Sequence, residues 1–316
     1  MITKGQGRHR TIGKTGISVF EVGFGSWAIG GNRTGWGYGP TNDRTSIRAV
    51  HEALAAGCDL FDTADCYGNG HSEYLLGKTL GSVRRKVYIA TKGGYDFYHG
   101  TQMQNYAPSY LLFALHQSLR RLSTDYVDFY LLHNPPTNAL LQEEVIEVLL
   151  SMKEGGKVRH IGISVSTVMD GLAAVHAGWP EIVQVPYSML YPEAEVLLFP
   201  SAHARGIGIF AREPLANGYL SGKYGMDDRF GQRDIRNLWS KQHVSKVVSA
   251  VERIKPFRKP NESMVQLAMR FALESRLVSV VICGCKSPHQ VIENFSESSV
   301  NVLTRLSQFA PKNDHF

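Results

Sequence analysis

The 316-residue sequence predicts an α/β chain closed as a (β/α)8 TIM barrel, with an N-terminal β-hairpin and long loops after strands 3 and 7. Three observations lead there. Eight short runs rich in β-branched and aromatic residues recur at roughly 30-residue spacing. Segments with helical spacing of apolar residues fill the intervals. No Pro/Ser-rich linker or shift in composition divides the chain, so residues 1–316 read as one domain. Alternation of strand and helix calls for a parallel sheet, and eight units select the closed form over the open one.

The hairpin spans residues 10–20, with Gly13-Lys14-Thr15-Gly16 at its middle, and is placed to plug the bottom of the barrel. Strands are expected at 21–24, 59–62, 86–91, 127–132, 159–164, 182–185, 207–211 and 278–282. Helices are expected at 45–56, 72–80, 108–122, 140–153, 168–176, 193–204, 262–273 and 290–297. Ser and Thr before several of them, Pro108 at one start and Gly155-Gly156 after another supply the boundaries. The stretches 93–107 and 217–240 exceed ordinary loop length and follow strands 3 and 7, on the face where barrels carry chemistry.

Thirty-four Lys and Arg against 28 Asp and Glu give a formal charge of +6. The surplus is scattered. Its densest pieces, Arg8-His9-Arg10, Arg84-Arg85-Lys86 and Phe257-Arg258-Lys259, are too short for a nucleic-acid groove, and a small-anion site fits better. Cys58, Cys66, Cys283 and Cys285 form no disulfide framework, and the start lacks the apolar run of a secretory signal, so a soluble cytoplasmic protein with no membrane partner is expected. Cys283-Gly284-Cys285 is at most half of a four-ligand site, so no metal is expected, and Cys66 is an oxidation-sensitive position if exposed.

Gly23-Phe24-Gly25-Ser26-Trp27-Ala28 satisfies the GxGxxA pattern of a dinucleotide-binding turn, which requires a helix at the glycines. None is expected there, because residues 29–40 are rich in glycine. The strand ends carry the information instead: Gly25-Ser26-Trp27, Asp62, Lys92, His133, Ser164, Gln184 with Tyr187, Arg212, and Gly284 with Lys286 converge on one mouth. Asp62 can hold Lys92. The Lys92 ammonium can lower the pKa of Tyr67, making it a proton donor and acceptor for a carbonyl/alcohol pair, and His133 can orient the same oxygen. Trp27, Trp36, Tyr38, Tyr95, Phe97, Tyr98, Tyr106 and Trp239 are candidates for an aromatic substrate pocket, chiefly Trp27, Tyr95 and Trp239.

At these residues the chain resembles the aldo-keto reductases. The likeness runs from Ile12-Gly13-Lys14-Thr15-Gly16 and Gly23-Phe24-Gly25-Ser26-Trp27 through Phe61-Asp62-Thr63-Ala64, Tyr67-Gly68, Ala90-Thr91-Lys92, Leu132-His133 and Ile161-Gly162-Ile163-Ser164 to residues 214–224. The resemblance implies a catalytic tetrad of Asp62, Tyr67, Lys92 and His133, with Tyr67 as general acid, and NADPH extended across the barrel mouth. It implies that Ser164 and Gln184 hold the nicotinamide carboxamide, beside Ser26 and Trp27. Arg212 would lie against the nicotinamide ring, Glu213, Pro214, Leu215, Gly218 and Lys223 would fold over the pyrophosphate, with Arg236 a candidate clamp on the cofactor phosphates, and Gly284, Lys286, Gln290, Glu293 and Asn294 would meet the adenosine end. Lys286 beside Ser287, before a helix opened by Pro288, suits a phosphate monoester and so favours NADPH over NADH.

Two departures stand out. Val165 occupies a usual asparagine position, and Arg212 replaces the aromatic that often stacks on nicotinamide; a planar guanidinium can also stack, but its positive charge would favour neutral reduced coenzyme and a lean toward reduction. Two other classes remain open. One is a Schiff-base lyase or aldolase using Lys92, which pairing with Asp62 disfavours by raising the lysine pKa. The other is a cofactor-binding regulatory subunit. The expected partner is a small carbonyl compound. The tail 307–316 is a possible cap on the pocket.

Overall fold

A computed structural model describes residues 9–32, 36–98, 100 and 102–296, so Arg8, Glu297 and the tail lie outside the described residues. Strands β1 (His9–Thr11) and β2 (Ser18–Phe20) pair antiparallel as the opening hairpin. Gly13 turns it at φ +47°, where a Cβ would lie 2.4 Å from the Gly206 carbonyl oxygen, so only glycine lets the turn seat against the barrel. Ile12 and Val19 share an apolar cluster with Leu60, Phe129, Phe210 and Val280, which puts the hairpin inside the barrel's base.

The barrel itself starts with β3 (Val22–Gly25), β4 (Leu60–Asp62) and β5 (Tyr88–Gly93). In the loop after β5 a small hairpin forms from β6 (Tyr95–Asp96) and β7 (Met103–Gln104). Then come β8 (Val127–His133), β9 (Val158–Ser164), β10 (Ile182–Pro186), β11 (Gly208–Arg212) and β12 (Val280–Gly284), which pairs back onto β3 and closes a ring of parallel strands. Every expected strand is present within two residues at each end. Their inward side chains interdigitate, as where Phe129 meets Phe210 edge-on at 5.4 Å, and their outward side chains pack under the helices.

One expectation fails immediately after β3. The chain makes a single helical turn there, α1 (Trp27–Gly30), ended by Gly31 at φ +71°. The remaining helices are α2 (Asp43–Ala55), α3 (His71–Leu80), α4 (Pro108–Leu122), α5 (Thr137–Leu140), α6 (Glu143–Glu154), α7 (Val168–Ala177), α8 (Glu193–Arg205), α9 (Lys241–Ile254), α10 (Met264–Glu274) and α11 (Pro288–Asn294). Side-chain caps start several of them: Asn42 on α2, Thr167 on α7, Ser240 on α9 and a reciprocal Ser263/Gln266 box on α10. Besides the short turns α1 and α5, helix α9 is the one the sequence reading lacks. Its β-branched Val244, Val247, Val248 and Val251 depress helix propensity, although they and the buried Ala250 and Ile254 fall at helical spacing. Among the described residues no helix is long and apolar enough to cross a membrane.

Polar ties fasten the elements away from the mouth. Glu181 accepts from His160 Nδ1 and Lys153 Nζ, both at 2.8 Å, and from the Ile161 amide at 3.1 Å, linking β9 to α6. Those bonds outweigh burial and hold its carboxyl down at about 2. Because the folded value lies below the unfolded one, this stabilisation is complete above about pH 4.5 and disappears as pH falls toward 2. Glu181→Gln is therefore expected to unfold more easily at pH 7, with the gap to the native chain closing in acid, as followed by denaturant midpoints across that range. Phe129→Ala, which opens a void among the inward side chains, is expected to cost about 3–5 kcal/mol on the same denaturant scale.

Candidate active site

The register brings three neighbouring strands to one floor. Asp62 ends β4 opposite Ala90, Lys92 lies on β5 opposite Leu131, and His133 ends β8 opposite Ser164. Tyr67 comes from the loop after β4. That loop is seated by Gly68 at φ +60°, where a Cβ would lie 2.3 Å from the Gly30 carbonyl oxygen, so the unexpected turn α1 is the support on which Tyr67 rests.

Lys92 is fully buried, and its Nζ donates to Asp62 Oδ1 and to the Thr63 carbonyl, both at 2.7 Å, and to the Tyr67 hydroxyl at 3.4 Å. All three ammonium hydrogens thus have acceptors. Asp62 raises the Lys92 pKa as expected, but burial is the larger effect and pulls it down overall. Asp62 Oδ2 accepts from Gln184 Nε2 at 2.8 Å, and Gln184 Oε1 accepts from Ser164 at 3.0 Å.

The Tyr67 hydroxyl is held well above the ordinary phenol range, by burial first and the Asp62 carboxylate second, against a downward pull from Arg212. The expected lowering by Lys92 is therefore not realised: the ring is a protonated donor. His133 is kept neutral by burial and by the charges of Lys92 and Arg212. Its ring stands edge-on to Tyr67 at 5.8 Å and to Tyr95 at 4.9 Å, and Tyr67 stacks on Trp27 at 5.7 Å. Burial raises the Cys66 thiol well above its usual range, so it is not the exposed reactive position considered from sequence.

Above this floor lies a cavity of about 440 Å³. Trp27, Tyr67, Tyr95 and His133 line it, together with Gly284, Lys286, Gln290, Glu293 and Asn294. Arg212, Glu213, Pro214, Leu215, Gly218, Lys223 and Arg236 line it as well. A Cβ at Gly284 would meet nothing within 4 Å, so open space adjoins that strand end. Lys286 Nζ donates to the Tyr38 carbonyl at 3.0 Å and its amide donates to Gln290 at 2.9 Å. Backbone bonds from Gly37 to Arg233 and from Ile235 to Gly37 join the loops after β3 and β11 at the rim.

Several expected contacts are not brought to the cavity. Ser26 is fully buried with its hydroxyl given to the Asp62 carbonyl at 2.7 Å, and Ser164 and Gln184 are buried beneath Asp62. They act on the floor and do not line its wall. Trp239 stacks on Tyr219 at 5.3 Å instead of lining the pocket, and Tyr98 and Tyr106 spend their hydroxyls on Arg121 and the His133 carbonyl. Arg212 pairs with Glu213 and donates to the Val165 carbonyl at 3.1 Å, which fixes the guanidinium at the cavity wall. Gln102, Asn134 and Asn217 line the cavity without having been singled out. Asn134, at φ +52° directly after His133 and before two prolines, carried a local signal, whereas Gln102 and Asn217 depend on loop folding. Gly68→Ala is expected to displace Tyr67 and to lower turnover at least tenfold while the far-ultraviolet spectrum stays native.

The Aldo/keto reductase family pattern matches residues 21–307. Over 298 residues the chain is 32% identical to the aldo-keto reductase YhdN of Bacillus subtilis, covering 92% of this chain and 88% of that one. It is 28% identical over 306 residues to the NADH-specific methylglyoxal reductase of Escherichia coli, covering 92% and 93%. The fold superposes on an aldo-keto reductase of Bacillus halodurans in its holo form with a TM-score of 0.81 at 25% identity, covering 98% of both chains.

Proposed function

The chain belongs to the aldo/keto reductase family, and on that premise we propose that it reduces an aldehyde or ketone with NADPH, Tyr67 serving as the general acid. One observation carries this reading: a protonated tyrosine, an ammonium 3.4 Å from its oxygen and a neutral histidine share one dry floor under a cavity. A proton donor for a carbonyl oxygen needs its hydrogen before reaction and a cation beside it afterwards. Tyr67 and Lys92 meet those two needs, Asp62 and the Thr63 carbonyl keep Lys92 aimed, and the His133 imidazole N–H directs the oxygen.

The cavity suits an extended dinucleotide. One cavity is lined both by the floor residues and by Lys286, with open space at Gly284 and the cations Arg212, Lys223, Arg236 and Lys286 in its wall. A nicotinamide dinucleotide, when bound, supplies the hydride to the carbonyl carbon. Among the described residues no carboxylate pairs with Lys223 or Lys286, whereas Arg212 and Arg236 are matched by Glu213 and Asp234. The two unmatched ammonium groups support a phosphate-bearing coenzyme, in contrast to the NADH-specific relative. Lys92 as an amine nucleophile is the weaker reading, because all three of its hydrogens are engaged. Four buried, unpaired cysteines accord with a reducing compartment such as the cytoplasm.

Loss of NADPH absorbance over a panel of aldehydes and ketones tests the activity. Tyr67→Phe is expected to cut kcat by about 10²–10⁴-fold while NADPH affinity, read by fluorescence titration, stays nearly unchanged. Tight NADPH binding with no turnover on any carbonyl would instead favour a regulatory subunit. Lys286→Ala is expected to weaken NADPH by about tenfold or more and NADH far less; an equal loss for both would remove the lysine from the phosphate.

A further inference from the structure

Beside the tetrad sits a cluster whose composition the reduction does not require. Asp65, Cys66 and His133 are all buried, and one potential ligand atom of each lies within 4.8 Å of the other two. Cys66 Sγ and His133 Nδ1 are 3.6 Å apart. A tetrahedral zinc-class ion, with sulfur at about 2.3 Å and nitrogen at about 2.0 Å, sets those two ligands about 3.5 Å apart. That edge of a coordination shell is already at its length.

Asp65 supplies the independent sign. Both of its carboxylate oxygens are buried and have no hydrogen-bond partner, a costly state for a carboxyl group unless something else satisfies it. The cations facing this cluster are already neutralised: Lys92 by Asp62, Arg212 by Glu213 and Arg121 by Glu73. Each partner weakens the positive field that Lys92 and Arg212 exert on His133, and so the repulsion an ion meets there. Cys66 and His133 both line the cavity, which provides the way in.

We propose that Asp65, Cys66 and His133 bind one thiophilic divalent cation of the zinc class, through a carboxylate oxygen, Sγ and Nδ1, with cavity water as the fourth ligand. Carboxylate and thiolate together balance the ion's two charges, and the protons of the Asp65 carboxyl and the Cys66 thiol leave to solvent on binding. An imidazole that coordinates through Nδ1 keeps its hydrogen on Nε2. His133 can therefore hold an ion and still donate to a carbonyl oxygen. Nothing in the spacing announces the site, since its third ligand lies 67 residues beyond the second.

The test is a titration of the reduced, chelator-treated full chain with Co2+, the spectroscopic stand-in for Zn2+. One equivalent is expected to produce a thiolate-to-cobalt charge-transfer band together with the intense visible bands of a tetrahedral ion, all lost on adding Zn2+. Cys66→Ala is expected to abolish the charge-transfer band and Asp65→Asn to weaken binding about tenfold or more, whereas the double variant Cys283→Ala/Cys285→Ala keeps both. X-ray absorption of the zinc-loaded native chain reads the ligands with no variant at all and is expected to give one sulfur at about 2.3 Å, the rest nitrogen or oxygen at about 2.0 Å. No charge-transfer band in the native chain, a band that survives in Cys66→Ala, or two sulfur neighbours would overturn the assignment.

Discussion

Lys92 and Asp62 form an ion pair inside a closed barrel, where an unmatched charge would cost several kcal/mol. Such a pair survives only if every remaining donor and acceptor is satisfied, and much of the site follows from that demand. The Thr63 carbonyl and the Tyr67 hydroxyl take the other ammonium hydrogens, and the Gln184 amide takes the second carboxylate oxygen. Ser164 then fixes Gln184, and Ser26 fixes the Asp62 backbone. Five of the eight strands, β3, β4, β5, β9 and β10, or their immediate ends, are drawn into satisfying one buried pair. Each of those side chains is thereby aimed without help from a ligand.

The same dry environment decides protonation. Burial raises Tyr67 and lowers His133, so both are neutral, while the ion pair beside them stays charged because its partners are already in place. A neutral donor, a neutral orienting group and a fixed cation form a preorganised floor, and its electrostatics cost little to rearrange when charge develops on a carbonyl oxygen. Burial also explains why the nearby cysteine is inert as a free thiol and why an unpartnered aspartate next to it is conspicuous.

Much of this was legible in the sequence because barrel strands are short and bounded. Runs such as Val127–His133 combine branched and aromatic residues with a polar residue at the end, and that last residue must face the mouth once the ring closes. Asp62, Lys92 and His133 were found by position alone. Less legible was the division of labour among polar strand ends. Ser26, Ser164 and Gln184 look like wall residues in one dimension, and only the tertiary structure shows that Ser26 and Gln184 bond Asp62 while Ser164 bonds Gln184. Helix α9 hid behind its valines, and α1 behind the glycines that make its close packing possible.

The sequence by itself determined the eightfold alternation, the closed architecture and three residues of the floor, Asp62, Lys92 and His133, because each depends on local periodicity and on which residues lie at the strand ends. Tertiary structure decided which charges are matched, which hydroxyls are spent and which groups are neutral, because pairing and burial arise between residues far apart in the chain. The pairing of Arg212 with Glu213 needed one further turn of geometry, and the meeting of His133 with Asp65 and Cys66 needed the whole barrel to close.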